Sequence, residues 1–225
     1  MFGILHAPNG TALAFCKEQM RTIVYVDGFN LYYGALKGTP YRWLDILAMA
    51  RKILSPKNQI VGMKYFTARV LPRPDNPGQP LRQEIYLRAL RSLGADCIFG
   101  RYLSHPVMMR VADPNAAKPF VRVIKTEEKG SDVNIAAHML LDAFRNEYDC
   151  AVLISGDSDL KAPVEMVRND FSKTVGVINP QKVDCKVLRS AASFYKRIRT
   201  SDLAASQLPV ILTDATGTIH KPANW

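Results

Sequence analysis

Acidic residues and cysteines are scarce in this chain. Of 225 residues, 20 are Asp or Glu against 30 Lys or Arg, and four are Cys. Cys16, Cys97, Cys150 and Cys185 form no C-x-x-C pair, which excludes a zinc ribbon and a thioredoxin-type motif. Cys97 and Cys150 lie in or beside apolar runs, where a free thiol serves as a small buried hydrophobe, so a reducing, cytoplasmic setting is expected. No run of about 18 apolar residues is present to span a bilayer, and no basic amphipathic helix stands out for its surface. Residues 1–19 lack both a basic leading region and a continuous apolar one, and so make a poor signal peptide. His6, His105, His138 and His220 are dispersed without H-x-x-x-H spacing. The absence of a G-x-S-x-G elbow, a Walker A loop and a Rossmann glycine fingerprint leaves serine hydrolases, P-loop enzymes and dinucleotide binders unsupported.

What remains is an ordinary globular composition with an unusual charge. Apolar residues make up 48% and charged residues 22%, so the chain can bury a core without disulfide or metal staples. A length prior of roughly 150 residues per domain allows one domain with extensions. The net charge of +10 calls for an anionic partner.

Arg21–Asp27 is β-branched and aromatic at its centre without alternation, as are Cys150–Ser155 and Thr174–Asn179. Such runs suit strands covered on both faces of a parallel sheet. Ile60–Val70 reads as a fourth, more mixed strand. Between them lie helical patterns. Leu81, Ile85, Ala89 and Leu93 form a stripe that Gly94 stops. Ser131 is expected to cap a helix from Asp132 to about Arg145, with Val133, Ala136, Ala137, Leu140 and Leu141 facing inward. Alternating elements of this kind predict an α/β fold, an open and mainly parallel sheet flanked by helices on both faces in three layers. Leu71–Pro80 holds four prolines and reads as a loop. His105–Pro119 reads as a hairpin tip or insertion between two strand-like pieces. Leu208–Thr213 is expected to add an edge strand.

In open α/β sheets, ligands bind beyond the carboxyl ends of the strands, near the topological switch point. Asp27 ends the first predicted strand, Asp157 and Asp159 follow Cys150–Ser155, and Asp132 opens a helix after the Gly130 turn. Four carboxylates on one rim either take up protons or recruit a cation. Oxygen ligands without Cys or His favour Mg²⁺ or Mn²⁺, and such an ion in a basic protein suits phosphodiester hydrolysis. Each acid also has a bland explanation. Asp27-Gly28 is good turn chemistry, Asp132 offsets the helix dipole by roughly 0.3–1 kcal/mol, and Gly-Asp-Ser-Asp suits a solvated turn.

Three segments carry a resemblance: VDGFNLYYG at Val26–Gly34, EEKGSDVNIA at Glu127–Ala136 and LISGDSDL at Leu153–Leu160. Together, and in this order, they resemble the signature blocks of the NYN family of the PIN-like nuclease superfamily, over most of Met20 to about Thr200. The resemblance implies a PIN-like α/β fold and, in many members, metal-dependent ribonuclease activity. It matches Asp27 to the first acid, Asn30 to the polar residue after it, Asp132 to the acid of K-G-x-D, and Asp157 and Asp159 to the pair of S-G-D-S-D. The expected organisation is an N-terminal extension at 1–19 (an upstream addition or a disordered leader), an NYN domain at 20–200 and a C-terminal tail at 201–225.

Substrate contacts are expected from Lys129, Ser155, Ser158, Lys161, Lys196 and Arg197, against the plainer roles of solvated lysines and capping or turn serines. Lys182, Lys186, Arg189, Lys196, Arg197 and Arg199 face Asp184 alone within a short span, with Phe194 and Tyr195 interleaved. That pattern suits phosphate contact and base stacking, or else a solvated helix followed by a strand. Arg82, Arg88, Arg91 and Arg101 form a second basic group. Glu84 is read as a surface helix partner of Arg82 and Arg88. The sequence therefore points to a Mg²⁺- or Mn²⁺-dependent endoribonuclease with RNA as substrate and no membrane partner. A non-catalytic RNA-binding module and a metal-dependent phosphatase are the alternatives. A homodimer and a protein regulator are compatible with the sequence and not specified by it.

Overall fold

A computed structural model describes residues 19–223 and Trp225; the expected N-terminal extension, with Cys16 and His6, lies outside the described residues apart from Gln19. Among those described, no helix is long and apolar enough to cross a membrane. The elements run β1 (Met20–Asp27), α1 (Gly28–Leu31), α2 (Ile46–Ile53), β2 (Asn58–Thr67), α3 (Gln79–Ser92), β3 (Ala95–Phe99), β4 (Arg101–Arg110) and β5 (Phe120–Lys129). They continue through α4 (Ser131–Phe144), β6 (Cys150–Ile154), α5 (Lys161–Asn169), β7 (Thr174–Asn179), α6 (Lys186–Ala191), β8 (Phe194–Arg197), α7 (Thr200–Ala204), β9 (Ile211–Asp214) and β10 (Gly217–His220).

Six strands form one sheet in the order β3-β2-β1-β6-β7-β8, every pairing parallel. Winding runs outward in one direction from β1 and in the other from β6, so the switch point lies between them. The apolar runs behave as a doubly covered sheet requires. Val24 and Val26 pack with α2 and α3 on one face, while Ile23 and Tyr25 pack with α4, α5 and α6 on the other. This is the three-layer α/β/α, PIN-like arrangement.

Two helices depart from their expected stripes, α3 in part and α4 largely. In α3 Ala89 is buried and Ile85 and Leu93 pack against the core as expected, but Tyr86, Leu87 and Leu90 are buried beside them and Leu81 is 68% exposed. In α4 they include Ile135, Met139 and Ala143, while Val133 and Leu141 are exposed. Both helices carry two apolar stripes, and the sheet surface selects one of them. Ser131 is the first residue of α4 rather than its cap. Gly130 occupies the cap position at φ 102°, and the Ser131 hydroxyl donates to Glu128 (2.9 Å).

Two connections also differ from expectation. β4 runs straight through His105 and pairs with β5 over ten residues in a separate two-stranded ribbon, which puts the tip at 111–119. β9 pairs antiparallel with β10 rather than joining the main sheet. The C-terminal segment nevertheless packs into the domain: Leu208 and Ile219 are core residues, Trp43 Nε1 donates to Pro209 O (2.8 Å), and Arg88 grips Asp214 through two 2.7 Å bonds.

Candidate functional site

The site begins where β1 ends. Asp27 is buried and caps α1, accepting from the Asn30 amide (2.9 Å) through Oδ1 and from Ser155 Oγ (3.0 Å) through Oδ2. Gly28 lets the chain turn here, since a Cβ would lie 2.7 Å from Phe66 O on the neighbouring strand. Burial pushes the Asp27 carboxyl up to about 6, against the lowering effect of its two donors; Asp132 and Asp157 add smaller upward pushes.

One strand over, the loop after β6 supplies the second acid. Ser155 accepts from the Asp157 amide (3.1 Å) while donating to Asp27, so one buried hydroxyl sets the spacing of both acids. Asp157 caps the short turn Ser158–Leu160 by accepting from the Asp159 amide (3.0 Å). Asn30 Oδ1 accepts from Gly156 N (2.9 Å) and Gln181 Nε2 (2.9 Å), tying the three strand ends together. Asp132 comes from α4. Its carboxyl is raised by burial first, then by Asp157, Glu128 and Asp159.

These residues surround an open cavity of about 260 Å³, lined by Asp27, Asn30, Glu128, Asp132, Asp157 and Gln181 with Phe29, Tyr33 and Ser131. Four carboxylates line it and no Lys, Arg or His does, in a protein of net charge +10. Three of the four are among the acids expected from sequence. Asp159 is exposed and stands outside the lining, and Glu128 takes the fourth place. Glu128 reaches inward because successive residues of a strand point to opposite faces, which turns Glu127 and Lys129 away together; they pair with each other at 3.5 Å. The adjoining Glu127-Glu128 pair in the second block was a usable signal for Glu128. Gln181, in the loop after β7, carried none.

The expected substrate contacts scatter. Ser155 is fully buried and committed to the two acids. Ser158 is exposed on a neighbouring 600 Å³ opening with Lys182 and Asp184. Lys161 pairs with Glu165 one turn along α5 (3.5 Å). Lys196 is exposed on β8, while Arg197 holds Asp184 (3.5 Å) and the carbonyl of Lys182, bracing that loop. The second basic group is largely used up, with Arg88 on Asp214 and Arg91 on Glu84 (3.0 Å). Glu84 pairs with Arg69 and Arg91, not Arg82 and Arg88. His138 packs on Phe66 and lies 3.3 Å from Lys64.

The donor set suits a hard cation. All four groups are carboxylates, and a buried acid raised by burial and by neighbouring acids gains from a positive charge placed between them. As the side chains stand, no three described His, Cys, Asp or Glu residues are close enough to hold an ion outright. The opening fits a hydrated ion, as Mg²⁺ usually keeps several of its waters. A second cavity adjoins across Phe29 and Tyr33, walled in part by aromatic rings.

An all-parallel α/β/α sandwich with carboxylates gathered at its switch point is consistent with a PIN-like, nuclease-type fold. The NYN domain profile matches residues 21–202, and the chain belongs to this family of the PIN-like nuclease superfamily. It is 29% identical over 238 aligned residues, 92% of this chain and 76% of the relative, to a Pseudomonas putida (strain DSM 28022 / S16) protein named 6-hydroxy-3-succinoylpyridine 3-monooxygenase HspA. It also resembles the crystal structure of a protein of unknown function from Vibrio parahaemolyticus RIMD 2210633. That likeness has a TM-score of 0.54 and 20% identity, covering 85% of this chain and 98% of the other.

Proposed function

We propose that the protein is a metal-dependent endoribonuclease whose site is the cavity of Asp27, Glu128, Asp132 and Asp157. The observation that carries this reading is a lining whose charged groups are all acids, inside a strongly basic protein. A polyanion meets a favourable field at long range, yet only a cation bound among the acids lets a phosphate approach them. Mg²⁺ or Mn²⁺ held there would lower the pKa of a bound water and neutralise charge growing on the scissile phosphate.

The chain's own residues do the positioning. Ser155 fixes Asp27 relative to Asp157 through its two hydrogen bonds, and Asn30 locks the loops after β6 and β7 to α1. Asp132, exposed on the rim of the cavity, is placed to take a proton from an attacking water. Lys182 and Lys196, exposed near the same sheet edge, would hold flanking phosphates.

The test is incubation of purified protein with labelled RNA and DNA in Mn²⁺ or EDTA, beside Asp157→Asn. RNA fragments that need Mn²⁺ and vanish in the variant support the reading. Cleavage by the variant at the wild-type rate overturns it, and metal-independent RNA binding without product returns the chain to a binding module.

The name of the Pseudomonas relative supports a second reading, oxidation of a small aromatic ring, and the aromatic cavity beside the acids favours it. It leaves the four carboxylates without a task. Consumption of a reduced nicotinamide dependent on 6-hydroxy-3-succinoylpyridine, with intact RNA, would select it.

A further inference from the structure

β4 and β5 pair only with each other, in a ribbon separate from the main sheet. Side chains alternate between the faces of a strand and cross-strand partners share a face. Tyr102 and Glu128 therefore lie on the same face as Met108 and Arg122, and the hydroxyls of Ser104 and Thr126 meet across it at 3.0 Å. The base of this face belongs to the site. Glu128 lines the acidic cavity, and Tyr102 sets its ring edge-on to Phe29 of the same lining (5.7 Å). From Glu128 to Phe120 the face then runs on for roughly 27 Å, at about 3.4 Å per residue.

The two faces differ in charge and in cover. On the opposite face Lys125 and Lys129 both pair with Glu127 (2.6 and 3.5 Å), and the partners Val107 and Val123 are half-buried. On the face continuous with the site, Arg110 and Arg122 are exposed and have no ion pair among the described residues. Glu128, at the base, is the one carboxylate of that face of the ribbon. Beside the two cations stand apolar side chains in water, with Met108 61%, Phe120 52% and Ile124 69% exposed.

Exposed apolar groups beside unpaired guanidiniums suit a ligand with flat apolar faces and regularly spaced negative charge. An unpaired nucleic-acid strand has that pattern: its bases pack on an aromatic or apolar platform and its phosphates meet Arg. A duplex hides its base faces and offers such a surface little beyond phosphates. A second copy laid on the same face would gather four guanidiniums at one interface against two Glu128 carboxylates, which like-charge repulsion opposes. We propose that this face of the ribbon is an arm that holds single-stranded RNA and leads it to the acidic cavity. Its part in turnover rests on the ribonuclease reading, whereas the binding requires no catalysis.

The test is fluorescence anisotropy of the full chain in EDTA with a labelled oligouridylate of about 12 nucleotides. Arg122→Gln is expected to weaken binding at least about fivefold and to lower the slope of log affinity against log salt by roughly 0.7, the share of one phosphate contact on a single strand. Phe120→Ala is expected to weaken it at least about fivefold with the slope unchanged, because stacking releases no counterions. Lys125→Gln removes the same charge from the opposite face and is expected to stay within about twofold, as exposed charges that touch no ligand are screened. Undiminished binding by Arg122→Gln or Phe120→Ala, an equal loss in Lys125→Gln, or tighter binding of an RNA duplex or a DNA strand of the same length would each overturn the assignment. So would a dimer of the free protein in sedimentation velocity that Phe120→Ala splits, since the face would then belong to a second copy. Binding as expected beside intact RNA in Mn²⁺ would keep the arm and remove the nuclease reading. Mn²⁺-dependent cleavage with undiminished binding by both variants would do the reverse.

Discussion

The Ser155 hydroxyl donates to Asp27 Oδ2 at 3.0 Å and accepts from the Asp157 amide at 3.1 Å, so one buried oxygen joins the ends of β1 and β6. A group that orients metal-binding carboxylates in this way typically contributes roughly 10–100-fold to metal affinity or activity. Ser155→Ala should therefore lower RNA cleavage by about that factor at limiting Mn²⁺ and move the acidic limb of the pH–rate profile upward, because Asp27 loses a donor that lowers its pKa. A Ser155→Thr variant that keeps the hydroxyl should restore the profile. An unchanged acidic limb in Ser155→Ala would show that the bridge is merely structural.

Within the acidic lining, contributions should rank by position. Asp157→Asn should cost on the order of 100-fold or more in cleavage, since several kcal/mol of charge stabilisation depend on the bound ion. Glu128→Gln should also lower cleavage clearly, and Asp159→Asn, which lies outside the lining, should do so least. Single-turnover rates at saturating Mn²⁺ measure the order. Equal losses for Glu128→Gln and Asp159→Asn would argue against Glu128 as the fourth acid.

Asp27 should make metal-free stability depend on pH in an unusual direction. Its folded pKa of about 6 lies above the usual value near 4, so the folded state binds that proton more tightly. The associated stability is present below about pH 4 and is lost as pH rises through about 6, a change on the order of 3 kcal/mol. The check is the difference in thermal stability between wild type and Asp27→Asn in EDTA, from pH 4 to 7. It should move against the wild type as pH rises, and added Mg²⁺ should reverse the trend.

Asp142 offers a contrast remote from the proposed chemistry. It is a buried residue of α4 and accepts from Tyr25 Oη (2.7 Å) and Lys64 Nζ (2.6 Å). Asp142→Ala strands those donors and should cost about 3–5 kcal/mol. Asp149→Ala breaks a half-exposed pair with Arg21 (2.8 Å) and should cost about 1 kcal/mol or less. Urea unfolding of both variants measures the gap.

Much of the scaffold was legible because it rests on local rules. Val24 and Val26, or Val175 and Val177, are apolar without alternation, and only a strand covered on both faces accommodates that. The helix faces were less legible. On α4, Val133–Leu141 and Ile135–Met139 are both apolar stripes at helical spacing, so the period is plain while the rotation is not. β9 has ordinary strand composition, but its pairing with β10 and its docking involve distant partners such as Arg88, 126 positions from Asp214.

The sequence by itself determined the wound parallel sheet, the family membership carried by its three blocks, and the placing of Asp27, Asp132 and Asp157 at strand and helix ends. Each follows from residue order within one element. Tertiary structure alone decided that Glu128 and not Asp159 completes the acidic lining, that Ser155 is a buried bridge rather than a substrate contact, and that Arg42 and Trp225, 183 positions apart in the numbering, line one cavity. The physical reason is that strand register and helix rotation select which side chain points where, and both are set by packing against distant segments.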